Sequence, residues 1–288
     1  MRNITEENLT QAVLDRTNTD DPRTNEVISK LVKHVHAFIR DLEPTEEEWF
    51  QAIDFLTRTG QKCDDKRQEY ILLSDVLGVS MLVDAINHRG MGSATETTVT
   101  GPFHAKALPM EMGANIARGD EADRALQAVV SGTIRDDQGN PIEGVMLDIW
   151  QADDIGFYDV QDPNMPEYNL RGIFKTGADG KYWFRTIKPK YYPVPTDGPV
   201  GELLDAAGRH PMRPSHIHFM IEAPGYERII THIFSDDCEY LDSDAVFGVK
   251  ESLIAPYVPN NSVEEAQKYG FRSPFVEMKF DFTLIESK

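Results

Sequence analysis

Residues 213–221 read Arg-Pro-Ser-His-Ile-His-Phe-Met-Ile, and around the two histidines polar and apolar side chains alternate. Such alternation is typical of a β-strand, on which residues two positions apart share one face. His216 and His218 therefore lie on the same face and can reach one metal ion. The alternative is a pair of hydrogen-bonded histidines on a polar strand face.

A second pair with the same spacing, His34 and His36, provides a contrast. It lies within residues 25–42, where apolar side chains recur at steps of three and four and predict an amphipathic helix. A two-residue step on a helix turns the chain by about 200°. The two rings then point to opposite sides, so this pair cannot chelate an ion.

Two further helices are expected before residue 100. Thr45 and Glu48 have the spacing of a capping box and open a helix that ends near Gly60. Residues 65–86 are predicted to form a third helix, which is apolar on more than one side. Such a helix is typically buried between two layers or two subunits.

The pattern changes to short strands after about residue 100. Period-two segments at 129–135, 145–151 and 182–187 are separated by turn sequences rich in Asp, Gly and Asn. This arrangement predicts an antiparallel β-sandwich. The fold is therefore expected to be mainly β with an α-helical N-terminal part, divided into residues 1–100 and 101–288.

Composition narrows the class of protein. The 288 residues carry a net charge of −19, which disfavours nucleic acid and anionic lipid surfaces as partners. No stretch has the apolar character of a membrane span or a signal peptide, so we expect no membrane insertion. The two cysteines, Cys63 and Cys238, form no disulfide framework, and a reducing cytoplasm is the expected location.

The identity of the metal depends on which groups complete the histidine pair. Glu222 shares the strand face and would give the two-histidine, one-carboxylate site of Fe(II) oxygenases and cupins. Tyr158 and Tyr192 are the other candidates, since phenolate is a hard anionic ligand that favours Fe(III). A third hypothesis is a transthyretin-like β-sandwich binding module whose histidines are structural.

The sequence resembles the intradiol ring-cleavage dioxygenase family over most of its length. Five segments carry the resemblance: Leu73-Ser-Asp-Val-Leu-Gly78, Gly101-Pro-Phe103, Ile149-Trp-Gln-Ala-Asp153 with Gly156-Phe-Tyr158, Arg185-Thr-Ile187 followed by Tyr192-Pro-Val-Pro195 and Asp197-Gly-Pro199, and Arg213-Pro-Ser-His-Ile-His218. The resemblance implies Fe(III) held by Tyr158, Tyr192, His216 and His218. It also implies a helical N-terminal homodimer seam, with a phospholipid at that interface, and a β-sandwich catalytic domain.

Such an enzyme would cleave a small aromatic diol or triol with O₂. The resemblance assigns catalytic roles to Tyr192, which would leave the iron when substrate binds, and to the cationic Arg213 beside the ring. It implies a substrate pocket made of Leu72, Asp75, Val99, Gly101, Pro102, Phe103, Val194, Pro195, Arg213, His232 and Val246. Taken alone, Leu72 and Val246 could be ordinary core residues and Asp75 a helix cap.

Within the family, three features are most similar to the members that cleave hydroxyquinol (1,2,4-trihydroxybenzene). They are Asp75 at a pocket position, His232 where catechol-cleaving members usually have Gln, and residues 240–253. Catechol and chlorocatechol cleavage, which gives cis,cis-muconates, is the alternative. One ring substituent is worth only about 1–3 kcal/mol of discrimination unless a buried polar group recognises it.

Overall fold

The computed structural model describes residues 2–65, 67–119, 122, 125–272 and 274–287. The chain divides into two compact units, one ending at Arg58 and one beginning at Thr59. The sequence predicted its domain boundary near residue 100 instead. The two boundaries differ because Leu72 and Val76 pack with Val194 and Val200, which places the helices after residue 59 in the second unit.

Seven α-helices lie within the described ranges. They are α1 (Glu6–Leu14), α2 (Pro22–Leu42), α3 (Glu46–Gln61), α4 (Glu69–Val76), α5 (Val79–Asn87), α6 (Pro199–Ala206) and α7 (Val263–Lys268). None of these helices has both the length and the apolar content that crossing a bilayer requires.

The helix predicted over residues 25–42 and the capping box before the next one are confirmed. The first is α2, which starts three residues earlier than predicted. At the start of α3, Glu48 N–H donates to Thr45 Oγ1 at 3.2 Å and Thr45 N–H donates to Glu48 Oε2 at 2.7 Å. These two reciprocal hydrogen bonds satisfy backbone donors that a helix start leaves free.

The single helix predicted over residues 65–86 is wrong. The segment forms two helices, α4 and α5, separated by Leu77 and Gly78, while Lys66 lies outside the described residues. Gly78 has φ +71°, a left-handed conformation that ends α4 and redirects the chain. Apolar periodicity continues through this break, which is why the sequence pattern hides it.

The second unit contains twelve strands in its described part. They are β1 (Gln127–Asp136), β2 (Met146–Gln151), β3 (Arg171–Lys175), β4 (Lys181–Ile187), β5 (Tyr192–Pro193), β6 (Met212–Arg213), β7 (His216–Glu222), β8 (Ile229–Ser235), β9 (Ile254–Ala255), β10 (Tyr257–Asn260), β11 (Phe275–Lys279) and β12 (Phe282–Leu284).

These strands form two five-stranded sheets and one short ribbon. The first sheet has the order β10-β11-β1-β12 with β4 also paired to β1, and the second has the order β3-β2-β7-β8-β9. The ribbon pairs β5 with β6. Apolar side chains from both large sheets, such as Val130, Phe184, Phe219 and Ile233, belong to one buried cluster. The prediction of a mainly β region after a helical N-terminal part is confirmed.

The sheets are mixed, whereas the sequence predicted antiparallel strands throughout. Strand β1 runs parallel to both β11 and β12, and β8 runs parallel to β9. A period-two pattern reports which face a side chain occupies but not the direction of the neighbouring strand. The parallel pairs could therefore not be predicted from alternation alone.

Gly132 lies where β1 changes partner from β11 to β12. Ser131 still pairs with Lys279 of β11, and Ile134 already pairs with Phe282 of β12. A Cβ atom on Gly132 would lie 1.7 Å from the carbonyl oxygen of Phe280. The partner change therefore requires glycine at this position.

Gly132→Ala is expected to lower the free energy of unfolding by about 1–3 kcal/mol, because the added methyl group overlaps backbone that cannot rotate away. Chemical denaturation of both proteins measures the difference. Gly177→Ala is the matched control, since its Cβ would meet only Asp179 Oδ1, at 3.8 Å. Equal stabilities for the two variants would contradict this account of the strand exchange.

Candidate metal centre

His216 and His218 occupy alternate positions on β7, so both imidazoles leave the same face of the sheet. Their Nε2 atoms are 3.1 Å apart, and both residues are about 1% exposed. The position expected from the sequence pattern is the one observed. His34 and His36, by contrast, both lie on α2.

His218 belongs to a row of large buried side chains that crosses the sheet. It pairs directly with Trp150 on β2 and with His232 on β8. The Trp150 ring stacks on the His218 imidazole at 4.6 Å with an interplanar angle of 13°. His218 Nδ1 has no hydrogen-bond partner in the described part of the chain, so the ring is oriented by this stacking and by the contacts of its Nε2 atom with Tyr158 and His216.

Tyr158 is positioned by the loop that follows β2. Asp153 Oδ1 accepts hydrogen bonds from the N–H groups of Ile155 and Phe157, at 2.9 and 2.8 Å. Gly156 has φ +97°, and a Cβ there would lie 2.8 Å from Tyr192 Cβ. The loop can thus bring Tyr158 beside Tyr192 only because residue 156 has no side chain.

Tyr192 and Arg213 face each other across the ribbon of β5 and β6, where they form a direct pair. This pairing places a phenol and a guanidinium on the same short element. Arg213 Nη1 lies 3.3 Å from His216 Nε2, and Arg213 Nη2 lies 3.5 Å from His232 Nδ1. The ribbon therefore joins Tyr192, the histidines and a permanent positive charge in one site.

Two phenol oxygens and two imidazole nitrogens converge on one buried point. Tyr158 Oη is 3.1 Å from Tyr192 Oη and 2.9 Å from His218 Nε2, while Tyr192 Oη is 3.5 Å from His216 Nε2. Atoms that bind one ion at about 2.0–2.1 Å lie roughly 3 Å from one another. The four donor atoms have that spacing.

The protonation pattern of His216 fits metal binding. Its Nδ1 lies 2.7 Å from the carbonyl oxygen of Pro214, an atom that can only accept, so Nδ1 carries the proton. In the neutral ring Nε2 then presents a lone pair towards the other donors. A ring held in this way by a backbone carbonyl is the usual arrangement around a protein-bound metal ion.

Burial keeps all four groups neutral when no cation is present. Burial raises the pKa of Tyr158 well above its ordinary value, and the adjacent Tyr192 raises it further. Burial also raises the pKa of Tyr192, although Arg213 opposes the effect. Burial, with help from Arg213, lowers the pKa of His216 to about 3. Ionised phenols in this site therefore require a strongly polarising cation.

His232 joins His216 and His218 in a group whose ligating nitrogens lie within 4.8 Å of one another. This group could hold a metal ion by itself. His232 was expected in the pocket rather than as a metal ligand, and its Nδ1 faces Arg213. The site thus offers a third imidazole beside the four converging donor atoms.

Glu222, the carboxylate alternative, does not reach the histidines. It stands at the end of β7, where its side chain is 52% exposed and pairs with Arg228 at 3.6 Å. Sharing a strand face with the histidines is therefore not sufficient to make Glu222 a ligand, because it lies four residues beyond His218. The alternative of a two-histidine, one-carboxylate site with Glu222 is therefore not formed.

The remaining predicted pocket residues surround this centre from several elements. Phe103 stacks on Tyr158 at 4.7 Å, and a Cβ on Gly101 would lie 3.4 Å from His218 Cε1. Burial lowers the pKa of His232 well below its ordinary value, and the backbone of Val99 opposes this effect. A cavity of about 900 Å³ is lined by several of the predicted residues, namely Leu72, Pro102, Phe103 and Pro195.

Leu72, Val194 and Val246 lie far apart in sequence and share one small buried cluster. Asp75 is about 3% exposed on α4, and its Oδ1 has no hydrogen-bond partner among the described residues. Burial raises the pKa of Asp75, whereas Ser80 and Arg213 lower it.

Four residues of the site were not singled out by sequence reasoning: Trp150, Asp153, Gly156 and Asp244. Trp150, Asp153 and Gly156 lie inside segments that carried the family resemblance, but their roles depend on close packing. Asp244 binds Arg213 and lies near the end of a short 3₁₀ turn. The sequence feature that could have identified Asp244 is an acidic residue among apolar ones, in a stretch that was expected to border the pocket.

Comparisons with known proteins agree with this geometry. Residues 99–285 match the family described as Dioxygenase, and residues 21–95 match the Catechol dioxygenase N terminus. The hydroxyquinol 1,2-dioxygenase of Rhizobium sp. (strain MTP-10005) is 52% identical, over 92% of this chain and 90% of that protein. The 6-chlorohydroxyquinol 1,2-dioxygenase of Cupriavidus pinatubonensis is 50% identical, over 90% and 93% of the two chains.

The solved structure of the hydroxyquinol 1,2-dioxygenase from Pseudomonas putida DLL-E4 superimposes with a TM-score of 0.90. It is 47% identical, and the match covers 98% of this chain and 99% of the other. Both the sequence and the arrangement of elements are therefore shared over nearly the whole length. The chain belongs to the intradiol ring-cleavage dioxygenase family, and it is a ring-cleaving metalloenzyme.

Proposed function

We propose that the enzyme cleaves hydroxyquinol between two adjacent hydroxylated carbons. One molecule of O₂ is consumed, both of its atoms enter the product, and the ring opens to maleylacetate, the tautomer of 3-hydroxy-cis,cis-muconate. The observation that carries the proposal is the convergence of two phenols and two imidazoles in one buried site. Relatives half identical in sequence whose names specify hydroxyquinol rings support the choice of substrate.

We assign Fe(III) to this site, held by Tyr158, Tyr192, His216 and His218. Two anionic oxygens and two neutral nitrogens are a hard donor set that favours the ferric ion. When bound, Fe(III) would act as a Lewis acid that lowers the pKa of a chelated aromatic diol and makes its ring reactive towards O₂. The third imidazole, His232, is assigned to the substrate side of the site.

The protein must accept protons when a diol binds as a dianion. Tyr192 is assigned as the group that takes one of them at Oη, because an ordinary phenolate is strongly basic. Its ring is held by a two-residue strand, β5, and Gly156 packs against its Cβ. Tyr158 lies in a longer, more tightly hydrogen-bonded loop and is assigned as the ligand that stays.

Arg213 is assigned to stabilise the negative charge that develops on the ring. It is always protonated, about 3% exposed, and it faces His216 and His232. A fixed charge acts more strongly in such a water-poor site than it would at the surface.

The substrate pocket is assigned to the residues around this charge. Apolar walls would hold the ring, and polar groups would recognise its hydroxyl groups. The assigned residues are Leu72, Asp75, Val99, Gly101, Pro102, Phe103, Val194, Pro195, Arg213, His232 and Val246.

We also propose that the enzyme is a cytoplasmic homodimer with its seam in the helical N-terminal region. The apolar stripe of α2 supports this, since its side chains remain exposed: Val27, Ile28, Leu31, Val35, Phe38, Ile39 and Leu42. An exposed apolar surface of this extent is typical of an interaction site. A phospholipid bound at the same interface would cover part of it.

Phenolate bound to Fe(III) absorbs visible light, so the purified protein should be red-brown. Tyr158→Phe and Tyr192→Phe should each bleach or shift the band, as measured by visible absorption with iron content determined alongside. Tyr182→Phe is the matched control, because Tyr182 is equally buried but donates to the Phe280 carbonyl oxygen.

An unchanged band in both site variants would contradict the two-phenolate assignment. Colourless protein with full iron loading would indicate an Fe(II) site instead. Folded protein that takes up no iron would favour a binding module without catalysis.

Iron affinity should rise with pH, because both phenols must lose a proton to bind while His216, with its pKa near 3, is already neutral. The logarithm of the Fe(III) association constant should rise by about two per pH unit between pH 6 and 8, and by about one in Tyr158→Phe. Competition against a chelator of known protonation measures this slope. A slope that Tyr158→Phe leaves unchanged would count against ionised Tyr158 as a ligand.

Asp75 is the group assigned to recognise the third hydroxyl, since its buried Oδ1 has no hydrogen-bond partner among the residues that the structure describes. Asp75→Ala should reduce kcat/KM for hydroxyquinol about 10–100-fold more than for catechol, the loss expected for one hydrogen bond to a charged group. Steady-state rates on both substrates provide the measurement. Asp84→Ala, a buried carboxyl on α5 that pairs with His88, is the control. Equal losses on the two substrates would exclude this role for Asp75.

A further inference from the structure

Asp244 is a buried carboxylate outside the set of groups assigned above. Its side chain is 2% exposed, and each oxygen receives one N–H from Arg213 and one from the backbone. Oδ1 accepts from Arg213 Nε and Val246 N, both at 3.2 Å. Oδ2 accepts from Arg213 Nη2 at 3.5 Å and from Gly248 N at 2.9 Å. The carboxylate thus has its full complement of donors.

This arrangement determines the direction in which Arg213 points. A guanidinium is planar and rigid, so holding its Nε and Nη2 edge leaves Nη1 one direction only. Nη1 is the atom that lies 3.3 Å from His216 Nε2. Asp244 therefore orients the positive charge towards the catalytic centre without contacting His216 itself.

The same carboxylate holds the turn at residues 244–248. Val246 from this turn packs with Leu72 and Val194. A Cβ on Gly248 would lie 3.2 Å from Asp244 Oδ2, 3.3 Å from Arg213 Nη2 and 3.6 Å from His232 Nδ1. The turn, the carboxylate and the guanidinium are therefore in close contact.

We propose that Asp244 is a positioning residue that couples the orientation of Arg213 to the position of the Val246 wall. It acts on the charge through Arg213 and on the wall through the backbone N–H groups of Val246 and Gly248. The enzyme thereby sets its charge stabilisation and its pocket width with one side chain. This inference rests on the proposed function, since it gives Arg213 and Val246 the roles assigned there.

Asp244→Asn tests the proposal, because the amide turns one of the two acceptor oxygens into a donor that faces two other donors. We expect kcat for hydroxyquinol to fall about 10–100-fold, the range typical of groups that orient a site. KM should change by less than about 5-fold, and the iron content and visible band should be retained. Asp242→Asn, an exposed carboxylate two residues earlier, is the control and should keep full activity.

A double-mutant cycle with Arg213→Met separates positioning from a purely structural role. If Asp244 acts through Arg213, Asp244→Asn should lower kcat by less than about 3-fold once Arg213 is absent. The same fold loss in both backgrounds, or loss of iron with the loss of activity, would overturn the proposal.

Folding is checked with Arg213→Met/Asp244→Met, which removes both buried charges together. If Asp244→Asn does not fold, this pair should fold and retain the kcat of Arg213→Met, because replacing both partners avoids an unpaired charge. Failure to fold in every variant at residue 244 would make Asp244 structural and overturn the proposal. Failure of the unaltered protein to cleave hydroxyquinol would instead refute the proposed substrate, and the cycle would then use catechol.

Discussion

The site depends on bringing two phenols and two imidazoles within about 3 Å of one another at a buried point. Each group alone would lose solvation on burial, so the cluster is stable only with neutral groups or with a cation among them. The fold supplies the rigidity for this. Strand β7 aligns the histidines, Gly156 allows the two tyrosines to approach, and the β5–β6 ribbon adds Arg213.

Local sequence patterns predicted the histidine pair because strand geometry alone determines its face. The tyrosines are different, since Tyr158 lies in a loop and Tyr192 on a two-residue strand, where no periodicity exists. Donor chemistry made them candidates, but only the resemblance of whole segments to a known family singled them out as ligands. The approach of Gly156 to Tyr192 and the Asp244–Arg213 pair depend on contacts between distant segments. No local rule predicts such contacts.

The same distinction holds for the fold, because its local features were predicted and its long-range features were not. The capping box at Thr45 and the apolar stripe of α2 depend only on residues that are close together in sequence, and both are present in the structure. The break at Gly78 and the parallel partners of β1 were missed. The first depends on a single left-handed residue inside a continuous apolar pattern, and the second depends on how the chain returns after more than a hundred residues.

The charges in and around the site affect the entry of substrate and the release of product differently. The chain carries a net charge of −19, yet the buried centre contains Arg213, whose charge is balanced by Asp244 at close range. A neutral polyphenol meets no electrostatic barrier on entry. Cleavage turns it into an organic anion, which Arg213, in the role proposed for it, would stabilise only while the anion remains inside, since the surrounding field is negative. A locally compensated arginine in a strongly acidic protein thus favours formation of the anion without favouring its retention.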